Sequence, residues 1–182
     1  SAGAYVPEPP TILETVILPH IDKAGKTYGK DYVVLGWTPG GETAMANLAR
    51  DIYTVHSTDV RGNRLDQMPV MDGIHRITDF DLVVYTGAGN VAEVMRQLFV
   101  PSGKPGIYIG LALFKPEMMP YYPQVVRGYI LGLGQAAEYE SILKRPGKAV
   151  AAADSLSLGH ILLFGLLILG NLAFTLQRKE KR

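Results

Sequence analysis

Between Ser155 and Gln177 the chain has no Asp, Glu, Lys or Arg. At about 1.5 Å per residue that run makes a helix roughly 35 Å long, against a hydrocarbon core about 30 Å thick. From Ile161 to Leu169 every side of such a helix is apolar, leaving no face for water. Leu156 to Leu176 therefore reads as a transmembrane helix, with Leu156, Ile161, Leu169 and Leu176 in contact with lipid. His160 lies near one end, at headgroup level. Asn171 lies deeper, where it bonds to a backbone carbonyl or, in the sharper reading, to a neighbouring helix. Gly165 and Gly170 are five apart and do not make the four-spaced small-residue dimer motif.

Flanking charge sets the expected orientation. The stub "RKEKR" abuts the run directly and favours the cytoplasmic side, whereas Lys144, Arg145 and Lys148 on the other flank are more distant and offset by Asp154. The start "SAGAYVPEPP" is small and Pro-rich, as after signal-peptide cleavage or trimming. Together these place the body outside the cytoplasm and the C-terminus inside it. The alternative is a cytosolic, tail-anchored protein.

The whole chain has 18 basic and 17 acidic residues. Without the stub, 14 basic and 16 acidic residues remain, so the body is slightly acidic. It lacks the basic patch of a phosphate-backbone binder, and no nucleic-acid partner is expected. The absence of cysteine excludes disulfides, thiolate metal sites and Cys nucleophiles.

Within the body, "YVPEPP" is an extended leader, because prolines exclude helix interiors. Thr11 with Glu14 forms a capping-box pattern for a helix carrying Ile12, Val16 and Ile17, which Pro19 is expected to end or kink. Tyr32 to Leu35 reads as a buried strand meeting a Gly/Pro turn. "ETAMANLARDI" is the helix after it, with Met45, Leu48 and Ile52 on one stripe, and "YTVHSTDV" is a candidate second strand. After the loop-rich "RGNRLDQMPVMDGIH", the strand Leu82 to Tyr85, a Gly turn and the helix "VAEVMRQLF" repeat the earlier unit. "GIYIGLALF" is a third strand, "KPEMMPYYPQV" is broken by proline, and "VRGYILGLGQAAEYESILKR" reads as a last helix. Alternation of strands and helices predicts a parallel α/β sheet, with strands apolar on both faces. The expected fold is a small Rossmann-like three-layer sandwich of four or five mostly parallel strands, plus one C-terminal transmembrane helix. The expected divisions are a leader over 1–10, an α/β domain over 11–146, a linker over 147–155, the membrane helix over 156–177 and a basic stub over 178–182.

"TGAGNVA" satisfies G-x-G-x-x-A between a strand and a helix, the context in which glycines let an anion approach helix N–H groups. No acidic residue ends the next strand to hold a ribose. "GWTPGGETA" is its sister loop and lacks the Lys-Ser/Thr of a phosphate-binding loop. Both follow strand C-termini, where open α/β sheets place ligands. A pocket there would be lined by Thr38, Gly40, Gly41, Thr86, Gly87, Gly89 and Asn90; the simpler reading is that these glycines only turn strand into helix. Trp37 stacks on a ligand or a partner, or covers the core. His20, His56, His75 and His160 have no metal-ligand spacing, and the aspartates between 59 and 81 do not match a calcium loop. No G-x-S-x-G elbow is present, so no catalytic constellation, metal or cofactor is expected. Met118, Met119, Tyr121 and Tyr122 crowd a short Pro-bounded stretch, and such side chains favour interface cores.

These features predict a single-pass membrane-anchored α/β domain acting as a structural or interaction subunit. Its partners would be the lipid bilayer and a homo- or hetero-oligomeric membrane assembly. The alternative is a membrane-tethered enzyme or sensor that binds a nucleotide, sugar phosphate or other small anion at the two Gly loops.

Overall fold

The computed structural model describes residues 2–4, 15 and 17–180. The Pro-rich leader, the Thr11–Glu14 capping pattern and the end of the stub lie outside the described residues. The chain divides into two compact units, Ser1–Ile109 with Leu113–Tyr129, and Gly110–Ala112 with Ile130–Arg182.

In the first unit, β1 (Ala2–Ala4) pairs in parallel with β2 (Tyr32–Val34), Ala2 opposite Tyr32 and Ala4 opposite Val34. All three residues of β2 are buried, as the unbroken apolar run requires. The helix α1 (Leu18–Lys23) lies between them. Thr15 and Ile17 already have π-helical backbone, so Pro19 stands where the chain passes from that geometry into α1 and does not end the helix.

After β2, α2 (Gly41–Arg50) buries Ala44 and Ala49, and α3 (Ile52–Val55) buries Ile52. "YTVHSTDV" is therefore not a strand. The Asp51 side chain accepts the Tyr53 N–H at 2.9 Å, a cap that starts a helical turn, and Thr58 then pairs with Arg64 across a tight antiparallel turn. The loop-rich segment beyond it supplies much of the core. Leu65, Val70, Met71 and Ile74 pack with Val33 and Ile52, carried on 3₁₀ turns at Leu65–Gln67 and Pro69–Met71.

The three-stranded parallel sheet has the order β3-β4-β5, formed by β3 (Val83–Gly87), β4 (Gly106–Gly110) and β5 (Val126–Leu131). Helical residues 91–102 connect β3 to β4: α4 (Val91–Val94), a π-turn (Met95–Phe99) and α5 (Val100–Ser102). Val91, Val94, Met95 and Phe99 on this connection are buried. The Phe99 ring occupies the space a Cβ at Gly106 would need, so glycine there lets helix and strand approach. Among the described residues the strands thus form two sheets, of two and three strands, rather than one of four or five.

Between β4 and β5, α6 (Lys115–Met118) and a 3₁₀ turn (Met119–Tyr121) match the proline-broken pattern. The expected last helix is half strand, because β5 takes "VRGYIL". Val126, Tyr129 and Ile130 suit a pleated surface, and Gly128 disfavours helix. The change to α7 (Gly132–Ile142) falls on Gly132, at φ +72°, where a left-handed backbone costs glycine little.

In the second unit, α7 packs with α8 (Lys148–Glu180), a single helix of 33 residues. It begins at Lys148, so the expected linker over 147–155 is helical from there, as the Ala-rich "KAVAAA" allows. Glu140 ties the two together: its carboxylate accepts the N–H groups of Gly147, Ala149 and Val150 at 2.8, 3.1 and 2.9 Å. Those bonds, that from Val150 first, hold the Glu140 carboxyl below its ordinary range. Over Lys148–Phe174, α8 is long and apolar enough to cross a membrane, and none of its most apolar window is buried.

Candidate functional site

The loop from β2 to α2 is built around backbone that only glycine adopts freely. Gly36, Gly40 and Gly41 have φ of +92°, +112° and +55°. A Cβ on Gly36 would lie 2.9 Å from Val60 Cγ1, so the turn also needs a bare backbone. Within it Thr38 is buried at 7% exposure, and its Oγ1 lies 2.6 Å from His56 Nε2. Burial lowers the His56 pKa, favouring the neutral imidazole. A hydroxyl at that distance from a neutral imidazole has nucleophile–base geometry. The hydroxyl belongs to a buried residue, and the bond pins the loop to the end of α3. The neighbouring Trp37 is 62% exposed and does not cover the core.

The loop from β3 to α4 is filled by the chain's own side chains. Gly89 and Asn90 have φ of +140° and +50°, which swings the strand into the helix. The Tyr85 hydroxyl donates to the Gly89 carbonyl at 2.7 Å and the Tyr108 hydroxyl to the Gly87 carbonyl at 3.3 Å. The two rings stack with centroids 5.7 Å apart. A Cβ on Gly87 would lie 2.6 Å from the Tyr85 hydroxyl. Burial, with the nearby charges of Tyr85 and Glu117, pushes the Tyr108 phenol up. At the helix start the Ala92 N–H donates to a Glu117 carboxylate oxygen at 3.3 Å. A carboxylate of the chain itself thus stands where an anionic ligand would meet the helix. Thr86 and Asn90 are exposed.

Glu42, in the first turn of α2, connects the two helices. It accepts from Arg96 at 3.2 Å and Gln97 at 2.8 Å, and these bonds, Gln97 first, lower its pKa. What joins the two expected ligand loops is therefore this clasp between their helices. Two open clefts lie elsewhere. One, of about 630 Å³, has Tyr28, Lys30, Asn63 and Arg64 in its wall. The other, of about 680 Å³, includes Asp51, Tyr53, Asp72 and His75.

The best-organised polar cluster was not singled out from sequence. Asp59, 6% exposed, accepts four hydrogen bonds: from the Tyr28 hydroxyl at 2.7 Å, the Arg61 N–H at 2.9 Å, the Asn63 N–H at 2.7 Å and the Asn63 side-chain amide at 3.1 Å. The Arg61 guanidinium lies 3.6 Å over the Tyr28 ring. Burial pushes the Asp59 carboxyl up, but the four hydrogen bonds outweigh it and hold the group below its ordinary 3.8. Burial first, then the bond to Asp59, pushes the Tyr28 phenol up to about 12. With all four donors internal, the cluster fixes a turn. The signal was "TDVRGN", an Asp three residues before Gly62, a spacing that suits a turn.

The expected contact segment divides. Met118 is fully buried, whereas Met119 and Tyr122 are exposed and Tyr121 is half-buried. Met118 is therefore core. Tyr122 meets Tyr129 edge-on at 5.5 Å. On α8, Leu156, Ile161, Leu169 and Leu176 are exposed, and the Asn171 amide donates to the Leu167 carbonyl at 2.8 Å.

Comparison of the chain with protein-family models, with curated proteins and with solved structures found no match in any of the three.

Proposed function

We propose that the chain is a single-pass membrane protein whose α/β body serves as a structural or interaction subunit of a membrane assembly. The carrying observation is α8, a helix of 33 residues whose most apolar window has no part buried in the protein. Such a surface is stable in lipid or against other apolar helices and unstable in water. The loops that would serve the ligand-binding alternative lend that alternative less support, because Tyr85, Tyr108, Glu117 and His56 already engage them. In the finer form of the proposal the body is a small Rossmann-like sandwich outside the cytoplasm, with the basic stub inside. Support for this comes from the parallel sheet with its helical connection and the charge at the C-terminal end. Met119 and Tyr122 remain available to a partner.

The test is extraction and co-purification of the full chain from membranes. Retention after an alkaline carbonate wash, release by detergent and migration with other chains, or as an oligomer, is expected. Release by carbonate as a monomer stable without detergent refutes the proposal. A reporter fused after Arg182 tests orientation, a cytoplasmic signal being expected.

A further inference from the structure

The second unit presents a surface with both apolar and basic character. On α7 and just beyond it Leu133, Tyr139, Ile142 and Leu143 are exposed, Ile142 at 71%. Three basic residues adjoin them, Lys144, Arg145 and Lys148, and none takes part in an ion pair among the described residues. Of the neighbouring carboxylates, Glu140 is engaged by the α8 N–H groups; Glu138 and Asp154 are exposed on their helices.

The position of this surface is set by α8. Ala149, Val150 and Ala153 are half-buried where α7 packs along the first turns of α8. The span Lys148–Phe174 has 27 residues, about 40 Å of helix, which matches the roughly 40–45 Å of a bilayer with its headgroups. A centred span puts Lys148 at headgroup level, and the Glu140 bonds hold the turn carrying Lys144 and Arg145 beside it.

We propose that α7 and the turn after it dock on an anionic lipid surface. Tyr139, Ile142 and Leu143 enter the boundary between headgroups and acyl chains, and Lys144, Arg145 and Lys148 bind the headgroups. This rests on reading α8 as the membrane span. The chemistry is that of interfacial helices, whose apolar side chains sink about 5–10 Å while basic residues meet anionic lipid. Each basic residue near an anionic surface adds to that attraction.

The sole tryptophan, Trp37, makes a direct test possible. In a Trp37→Phe background, Ile142→Trp and, separately, Phe164→Trp are reconstituted as full chains in vesicles containing phosphatidylglycerol and lipids brominated near the top of the acyl chain. Phe164→Trp reports the span and Ile142→Trp the docking surface. Both are expected to be quenched, Ile142→Trp because interfacial depth brings it to the brominated segment. The loss at Ile142→Trp should shrink in purely zwitterionic vesicles and with Lys144→Gln/Arg145→Gln. Quenching of Phe164→Trp without quenching of Ile142→Trp leaves the span standing and overturns the docking proposal. A blue-shifted but unquenched Ile142→Trp assigns the surface to a protein partner and also overturns it. Quenching at Ile142→Trp that ignores lipid charge and both Gln substitutions overturns the anionic assignment. If neither tryptophan is quenched, the span itself is wrong and the docking proposal falls with it.

Discussion

Asp59→Ala removes the acceptor for four donors at once. A hydrogen bond to a charged group contributes about 1.5–3 kcal/mol, and neighbouring losses do not add. Water can reach some of the freed groups, so the Tyr28 hydroxyl and one backbone N–H carry most of the penalty, about 3 kcal/mol. At roughly 2–4 °C per kcal/mol for a chain of this size, the melting temperature of the detergent-solubilised protein should fall by about 6–12 °C. Asp59→Asn keeps the shape and one acceptor oxygen but turns an NH₂ group toward two donors, and should cost about half as much. A cycle with Tyr28→Phe should give a coupling of about 1–2 kcal/mol.

The pH dependence gives a second reading of the same cluster. The folded state lowers the Asp59 carboxyl below 3.8, so its contribution is present above that value and is lost as pH falls through the lower folded value. Wild type and Asp59→Asn should therefore converge in acid. An Asp59→Ala variant within about 0.5 kcal/mol of wild type, the range of an ordinary surface substitution, refutes the reasoning. So does strict additivity with Tyr28→Phe.

Raising pH should weaken the protein from about 10 upward, because unfolded Tyr28 ionises near 10.0 while the folded phenol holds its proton to about 12; the loss should diminish in Tyr28→Phe, as read by alkaline denaturation. Met118→Ala should destabilise by about 2–5 kcal/mol, since its side chain is fully buried. Met119→Ala should change melting by far less but weaken any assembly that covers it, as read by size in detergent. Gly87→Val should force the Tyr85 ring off Tyr108 and break its bond to Gly89, costing about 1–3 kcal/mol in chemical denaturation; a variant with unchanged stability contradicts the filled-loop description.

The elements legible in the sequence are those written as one short, unbroken apolar run. "YVV", "VVYT" and "GIYIG" are apolar runs bounded by glycine or polar residues, and the α8 run leaves helix as the one economical choice. What failed depended on partners distant in sequence or on one local conformation. Nothing in "VRGYILGLGQAAEYES" interrupts a helix except glycines, and the change from β5 to α7 rests on the left-handed backbone at Gly132. "YTVHSTDV" alternates like a strand, but the Asp51 cap and the burial of Ile52 make a helical turn. The core role of Leu65 and Met71 was hidden because they sit on 3₁₀ turns, which show neither period. At the Gly loops the sequence displays the turn. It does not display the fillers, since Tyr108 and Glu117 lie 21 and 25 residues from the atoms they meet.

The unbroken helix from Lys148 to Glu180 has a mechanical consequence. A coil between α7 and the apolar run of α8 would act as a universal joint, leaving each free to turn without the other. Here no joint exists along α8, and Glu140 clamps its top turn to α7. A helix longer than the local bilayer is thick accommodates by tilting, and such a tilt passes through the clamp as a lever turns about its fulcrum. On the proposed reading of α8 as a membrane span, bilayer thickness becomes a setting for the angle of α7.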